Sequence, residues 1–184
     1  MHITGFTNTI LAELKQTLTL IDDKEAEKLA TGILQAKKIF VAGGGRSGFM
    51  AKAFVMRMMH VGLDAYVVGE TITPKLESDD IFIVGSGSGE TQSLVAMTKK
   101  AKAIGATVVA ITIDPESTIG NLGDIQIEIP ARSKSDDSSN KSIQPMGSLF
   151  EQSLLLFYDA VILKFMDKKG IKSDAMYGRH ANLE

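Results

Sequence analysis

Five short apolar runs, each rich in β-branched residues, constrain the fold of this chain more than any other feature. They occupy residues 39–42, 65–68, 81–84, 107–112 and 125–129. Runs that are apolar on both faces are typical of strands buried in a parallel sheet. Helical patterns follow the first and third runs. This alternation predicts an α/β fold with a doubly wound, five-stranded parallel sheet of flavodoxin-like strand order 2-1-3-4-5.

Further helices are predicted on both sides of this sheet. Two amphipathic patterns occupy the N-terminal helical segment, 1–37, which precedes the sheet core at 38–130. A long C-terminal helix begins at about residue 145 or 148, ends near residue 168 and is apolar nearly all round. Such a helix needs partners on more than one face, and we expect one of them to be another subunit. The whole chain, 1–184, is expected to be one domain, with a polar loop of unassigned role at 131–142.

Composition excludes several classes of function. The 184 residues include 20 basic and 22 acidic side chains, so no strongly basic surface for a nucleic acid is expected. Cysteine is absent, which excludes thiolate catalysis and disulfides, and the three histidines form no cluster that predicts a metal site. No apolar stretch approaches the length of a membrane span. We therefore expect a cytoplasmic protein that binds neither nucleic acid nor membrane.

A first glycine-rich loop follows the first predicted strand. Its sequence at 43–48, Gly-Gly-Gly-Arg-Ser-Gly, matches the G-x-G-x-x-G pattern of dinucleotide-binding proteins. Glu70 lies just beyond the second strand, where such proteins place the acid that binds the ribose. An NAD-dependent oxidoreductase is thus one interpretation. The other is that the glycines allow the strand and helix to pack closely.

A second glycine-rich loop follows the third predicted strand and leads directly into a helix. It has the sequence Gly-Ser-Gly-Ser-Gly-Glu-Thr at 85–91. Backbone amides and hydroxyls at a helix N-terminus favour an anion, so the loop predicts a phosphate site formed by Ser86, Ser88, Thr91 and the intervening amides. The alternative is that Ser88 or Thr91 only caps the helix. In the 2-1-3-4-5 order both loops face one crevice, where Arg46 and Ser47 would orient a sugar.

Together the two loops closely resemble the signature loops of the sugar isomerase, or SIS, domain family, which binds phosphosugars. The segment 143–152, Ile-Gln-Pro-Met-Gly-Ser-Leu-Phe-Glu-Gln, and the tail 180–184 resemble the 6-phospho-3-hexuloisomerase group of that family. The resemblance implies interconversion of D-arabino-3-hexulose 6-phosphate and D-fructose 6-phosphate in the ribulose monophosphate pathway, without a metal or a cofactor. It also implies that the chain assembles as a homotetramer. It implies Glu151 and His180 as catalytic residues. The substrate-binding residues implied are Arg46, Ser47, Ser86, Gly87, Ser88, Gly89, Glu90 and Thr91.

Several of these residues also have simpler interpretations. Ser148 and Glu151 have the spacing of a capping box, in which the glutamate would bond back to the start of the helix. His180 could be an ordinary surface histidine, and His60 is read as structural. A non-catalytic phosphosugar sensor would share both glycine loops and would lack a working base.

Overall fold

The computed structural model of the chain describes residues 2–131, 142–180 and 182. Most of the predicted polar loop at 131–142 lies outside the described residues. The helices and strands, in chain order, are α1 (Ile3–Leu18), α2 (Asp23–Gln35), β1 (Ile39–Gly43), α3 (Gly45–His60), β2 (Ala65–Val67), β3 (Ile81–Gly85), α4 (Gln92–Ile104), β4 (Thr107–Thr112), α5 (Thr118–Leu122), β5 (Ile125–Glu128), α6 (Ser148–Lys169) and α7 (Ser173–Tyr177).

The strands form one five-stranded sheet in the order β2-β1-β3-β4-β5, and every neighbouring pair is parallel. The predicted fold class and strand order are confirmed. The short helices α5 and α7 were not predicted, because segments of five residues are too short to show a periodic apolar pattern.

The two faces of the sheet pack against different helices. Residues such as Val41 and Ile83 join a large core with α1, α2, α3 and α6. Alternate residues such as Phe40 and Phe82 join a smaller core with α4 and α5. Burial on both faces explains why the strands are apolar throughout rather than alternating.

Helix α6 lies at the centre of the larger core and packs against α1, α2 and α3. Most of the apolar surface of this helix, which the sequence predicts to contact another subunit in part, is therefore covered within the chain, although Leu156 and Leu163 are exposed. Large exposed apolar side chains lie instead on α1 and α3. They are Ile3, Phe6 and Leu11 on α1, and Phe49, Met56 and Met59 on α3.

One buried side chain in the larger core leads to a stability prediction. Tyr158 is fully buried, and its ring stacks on Phe54 with centroids 4.0 Å apart. Burial raises the pKa of its hydroxyl, and no hydrogen bond within the described residues reaches that hydroxyl. Removing an unpaired buried hydroxyl avoids its desolvation cost, so Tyr158→Phe is expected to raise the free energy of unfolding by about 1 kcal/mol. Urea unfolding measures this, and a loss of stability would reveal a bonded hydroxyl.

Candidate active site

The two glycine loops begin side by side. Gly43, the last residue of β1, is paired in register with Gly85, the last residue of β3. A Cβ atom on Gly44 would lie 3.9 Å from the Cγ2 atom of Thr91, so the first loop contacts the beginning of α4. Both loops therefore line one crevice at the carboxyl edge of the sheet, as the strand order predicts.

Close packing explains two glycines of the first loop. A Cβ atom on Gly43 would lie 2.8 Å from backbone atoms of Ser47, and one on Gly48 would lie 2.8 Å from the carbonyl oxygen of Gly43. The end of β1 and the first turn of α3 are therefore in contact without room for a methyl group. This geometry places Arg46 and Ser47 in the first turn of α3, where Ser47 is buried and Arg46 is half exposed.

In the second loop, the structure brings the hydroxyls of Ser86 and Thr91 within 3.5 Å of each other. Ser86 is buried, whereas Ser88 is exposed and its Oγ accepts a hydrogen bond from the amide of Glu90. The amide of Gly89 donates to the carbonyl oxygen of Ser86. The amides of Gly89 and Glu90 are therefore bonded within the loop, which corrects the expectation that these two of the intervening amides are open to a phosphate.

Helix α4 offers the amides that the loop does not. Thr91 occupies the N-cap position, and its side chain makes no capping hydrogen bond. The first turn of any helix has amides without an intrahelical partner, and the helix dipole favours an anion there. The interpretation of Thr91 as a simple cap is therefore wrong, and its hydroxyl lies beside an uncapped helix N-terminus.

Glu90 has a structural contact that the sequence did not suggest. Its carboxylate accepts hydrogen bonds from the amide and the hydroxyl of Thr118, at 2.6 and 2.9 Å. These two bonds lower the pKa of Glu90. The carboxylate thus connects the second loop to the beginning of α5.

Glu151 lies in the first turn of α6 and faces Arg46. Its Oε2 atom is 3.0 Å from Nη1 of Arg46, and only 16% of its side chain is exposed. No hydrogen bond within the described residues reaches that oxygen, so the contact is an ion pair that leaves a buried acceptor unsatisfied. Buried acceptors of this kind are rare and often mark sites of chemistry.

The capping-box interpretation of Glu151 is wrong. The amide of Ser148 donates to the carbonyl oxygen of Pro145 rather than to the carboxylate of Glu151. The Ser148 hydroxyl also donates to that carbonyl oxygen, at 2.8 Å, and accepts a hydrogen bond from Nη1 of Arg46, at 2.8 Å. Arg46 therefore contacts both Ser148 and Glu151, and it connects the first glycine loop to α6.

His180 lies at the other end of α3. Its ring stacks on His60, with centroids 5.6 Å apart, and His60 is the last residue of α3. A helix of 16 residues is about 24 Å long, so within one chain His180 is not brought together with Arg46 and Glu151. Burial, with Arg57 and His180 nearby, lowers the pKa of His60, as expected for a structural histidine.

Two observations bear on the cofactor interpretations. Glu70, the candidate ribose ligand, forms an ion pair with Lys52 at 2.7 Å, and both side chains are about half exposed. Within the described residues, no group of three or more histidine, aspartate or glutamate side chains is arranged to hold a metal ion.

Comparison with known proteins gives the family. The model of the SIS domain matches residues 32–156. The chain belongs to the SIS domain family. The 3-hexulose-6-phosphate isomerase of Bacillus subtilis is 53% identical, and the match covers 100% of both chains. The isomerase of the same name from Mycobacterium gastri is 38% identical over 99% of this chain and 92% of its own.

Solved structures agree with this assignment to the SIS family. A hypothetical protein of known crystal structure has a TM-score of 0.90, 35% identity, and coverage of 98% of this chain and 97% of its own. A protein from Methanococcus jannaschii, whose structure was reported to infer a 3-hexulose-6-phosphate isomerase function, has a TM-score of 0.82 and 36% identity, with 97% of each chain covered. None of the helices in the described part of the chain has the length and apolar character needed to cross a bilayer.

Sequence reasoning missed the contact that Ser148 makes with Arg46 in this SIS domain. The spacing of Ser148 from Glu151 indicates only a helix cap, although Ser148 lies in the segment 143–152 that carries the resemblance. Its role depends on Arg46, which lies 102 residues earlier in the chain. No local sequence pattern predicts a hydrogen bond between residues that lie so far apart in the chain.

Proposed function

We propose that this protein is a phosphosugar isomerase that interconverts D-arabino-3-hexulose 6-phosphate and D-fructose 6-phosphate. The observation that carries the proposal is the 53% identity, over the whole of both chains, to the Bacillus subtilis 3-hexulose-6-phosphate isomerase. The crevice supports it, since a serine-rich loop for a phosphate lies beside a buried carboxylate that has the chemistry of a base.

In this proposal the phosphate binds at the second loop. The hydroxyls of Ser86 and Thr91 donate hydrogen bonds to it, and the uncapped first turn of α4 supplies amides and the positive end of a helix dipole. Ser88 is exposed at the loop surface and contacts the outer phosphate oxygens. Gly87 and Gly89 provide backbone without side chains, so that the phosphate can approach. Glu90 contributes by holding the loop, because its carboxylate accepts hydrogen bonds from Thr118 and is not free to bind the substrate.

Glu151 moves the proton between the two carbon atoms. The carboxylate takes the proton from C2, and the bonding electrons form a C2–C3 double bond as the C3 carbonyl oxygen becomes negative. The same carboxylate then returns the proton to C3, while the proton of the C2 hydroxyl passes to the oxygen on C3 and C2 becomes the new carbonyl carbon. Arg46 lies beside the carboxylate, and Arg46 and Ser47 orient the sugar hydroxyls. The guanidinium also stabilises the negative oxygen of the enediolate.

His180 is proposed to move protons between the sugar oxygens, because an imidazole ring can both donate and accept a proton. Because His180 lies at the far end of α3 within its own chain, the proposal places it in the site of a neighbouring subunit. The assembly is proposed to be a homotetramer. The chain as a whole is proposed to act as one domain in the cytoplasm, with no metal and no cofactor.

A mixing experiment tests the role of His180. His180→Ala alone is expected to lower kcat, and mixing it with Glu151→Gln after dissociation and reassembly should restore part of the activity. Restoration follows because some sites then combine an intact Glu151 with an intact His180 from another chain. An unchanged kcat in His180→Ala would show that the residue is an ordinary surface histidine.

The first test of the function is an assay for fructose 6-phosphate. The hexulose phosphate is supplied by its synthase from formaldehyde and ribulose 5-phosphate, in buffer without metal or nucleotide added for the isomerase. Turnover above the rate without the protein is the expected result. No turnover, together with a rise in melting temperature on adding fructose 6-phosphate, would indicate a phosphosugar sensor. NAD is the control ligand and is expected to leave the melting temperature unchanged.

A further inference from the structure

A carboxylate from α1 contacts the segment that precedes α6. Glu13 accepts hydrogen bonds from the hydroxyl of Ser142 at 2.7 Å, the amide of Ile143 at 2.9 Å and the side-chain amide of Gln144 at 2.9 Å. About 130 residues of sequence separate these partners. Three hydrogen bonds to one ionised carboxylate form a strong local contact, because bonds to charged groups are stronger than those between neutral groups.

The electrostatics of Glu13 favour the charged form. Burial alone would raise the pKa of this carboxylate, but the hydrogen bonds from Gln144, Ser142 and Ile143 outweigh burial and lower the pKa. The carboxylate is therefore ionised at neutral pH, the form that accepts all three hydrogen bonds.

Gln144 continues the contact to α6. Its side-chain oxygen accepts a hydrogen bond at 2.7 Å from the side-chain amide of Gln152, the residue next to Glu151. Gln144 is buried, so both ends of its side-chain amide are used within the protein. A continuous chain of hydrogen bonds thus leads from Glu13 to the turn of α6 that carries the proposed base.

A second path leads from the same segment to Arg46. The Ser148 hydroxyl donates a hydrogen bond to the carbonyl oxygen of Pro145, so its oxygen is left to accept the hydrogen bond from Arg46. Between Pro145 and Ser148, Met146 has a φ of 61°, which is unfavourable for any residue other than glycine. A strained residue at this point needs fixed neighbours on both sides, and Glu13 fixes the residues that precede it.

We propose that Glu13 is a positioning residue, which holds the segment 142–145 and thereby keeps Arg46 beside Glu151. Its effect on turnover rests on the isomerase function proposed above. Glu13 does not contact the substrate in this proposal. It acts through Gln144 and Gln152 on one path, and through Pro145 and Ser148 on the other.

The test compares two carboxylates that connect N-terminal helices to the C-terminal part of the chain. Glu13→Gln is expected to lower kcat by about 10- to 100-fold, because small displacements of reacting groups have effects of that size. KM should change by less than about twofold. Glu27→Gln is the matched control, since Glu27 forms ion pairs with Lys164 and Lys168 far along α6. It should lower the melting temperature and leave kcat unchanged.

A compensating variant separates positioning from general stability. In Glu13→Gln with Gln144→Glu, the donor and the acceptor of the central hydrogen bond exchange places, and most of kcat should return. A loss of kcat in Glu27→Gln equal to that in Glu13→Gln would overturn the proposal. An unchanged kcat in Glu13→Gln would also overturn it.

NMR of methyl-labelled methionine gives a readout that does not depend on activity. The Met146 signal, assigned with Met146→Leu, is expected to shift or broaden in Glu13→Gln and to remain unchanged in Glu27→Gln. An unchanged Met146 signal in Glu13→Gln would overturn the proposal even for a protein without isomerase activity. Absence of turnover in the unmodified protein, with the expected change at Met146, would instead count against the proposed function alone.

Discussion

Replacing Glu151 by glutamine is expected to lower kcat by about 10²- to 10⁴-fold, the range found for positioned acids and bases. The amide cannot accept the C2 proton, although it has nearly the same shape and can still contact Arg46. Folding and oligomeric state should be largely intact, because the carboxylate oxygen facing Arg46 makes no hydrogen bond within the described residues that the change would break. Steady-state kinetics and gel filtration of the purified variant measure both expectations.

Glu70→Gln is the control for this change. Glu70 follows β2 and forms an ion pair with Lys52, so it is a carboxylate near the first loop with no role in the proposed chemistry. The kcat of Glu70→Gln should equal that of the unmodified protein. Near-normal turnover in Glu151→Gln would remove Glu151 as the base.

Replacing Gly89 by alanine is expected to have the largest effect on phosphosugar affinity. Gly89 has a φ of 64°, and a Cβ atom at this position would overlap the Oγ atom of Ser117. Ser117 cannot move freely, because its hydroxyl donates to Asp114 and accepts from the amide of Gly120. The second loop must therefore shift, and KM is expected to rise more than tenfold with a clear fall in melting temperature.

Gly170→Ala isolates the backbone part of this effect. Gly170 has a φ of 63° at the end of α6, and nothing lies within 4 Å of the position of its Cβ atom. Alanine there should lower the free energy of unfolding by about 1–2 kcal/mol through strain alone and leave KM unchanged. Equal losses of stability in the two variants, with KM unchanged in Gly89→Ala, would show that the second loop tolerates the side chain.

The strands and the meeting of the two glycine loops could be predicted because their causes are local or topological. Burial on both faces makes β1 and β3 apolar throughout, and the strand order 2-1-3-4-5 makes them neighbours. The pairing of Gly43 with Gly85 then follows from the parallel register. No contact between distant side chains is needed for this part of the prediction.

The hydrogen bonds around Glu151 could not be predicted, because they join segments far apart in the chain. The spacing of Ser148 and Glu151 indicates a local cap, but Arg46 and Pro145 provide partners for Ser148 instead. Glu13 lies in an amphipathic helix with no pattern that sets it apart from other surface carboxylates. The position of His180 depends on how the tail packs against α3, which periodicity does not encode.

The two halves of the crevice are built in different ways. The proposed phosphate site is formed by residues 85–91 and the first turn of α4, which follow one another in the chain, whereas the groups around Glu151 come from α1, α3 and the beginning of α6. A substitution in any of these three helices can therefore lower turnover while the phosphate end of the substrate is still recognised. Retention of the ligand is consequently a poor measure of whether a variant of this chain is still an enzyme.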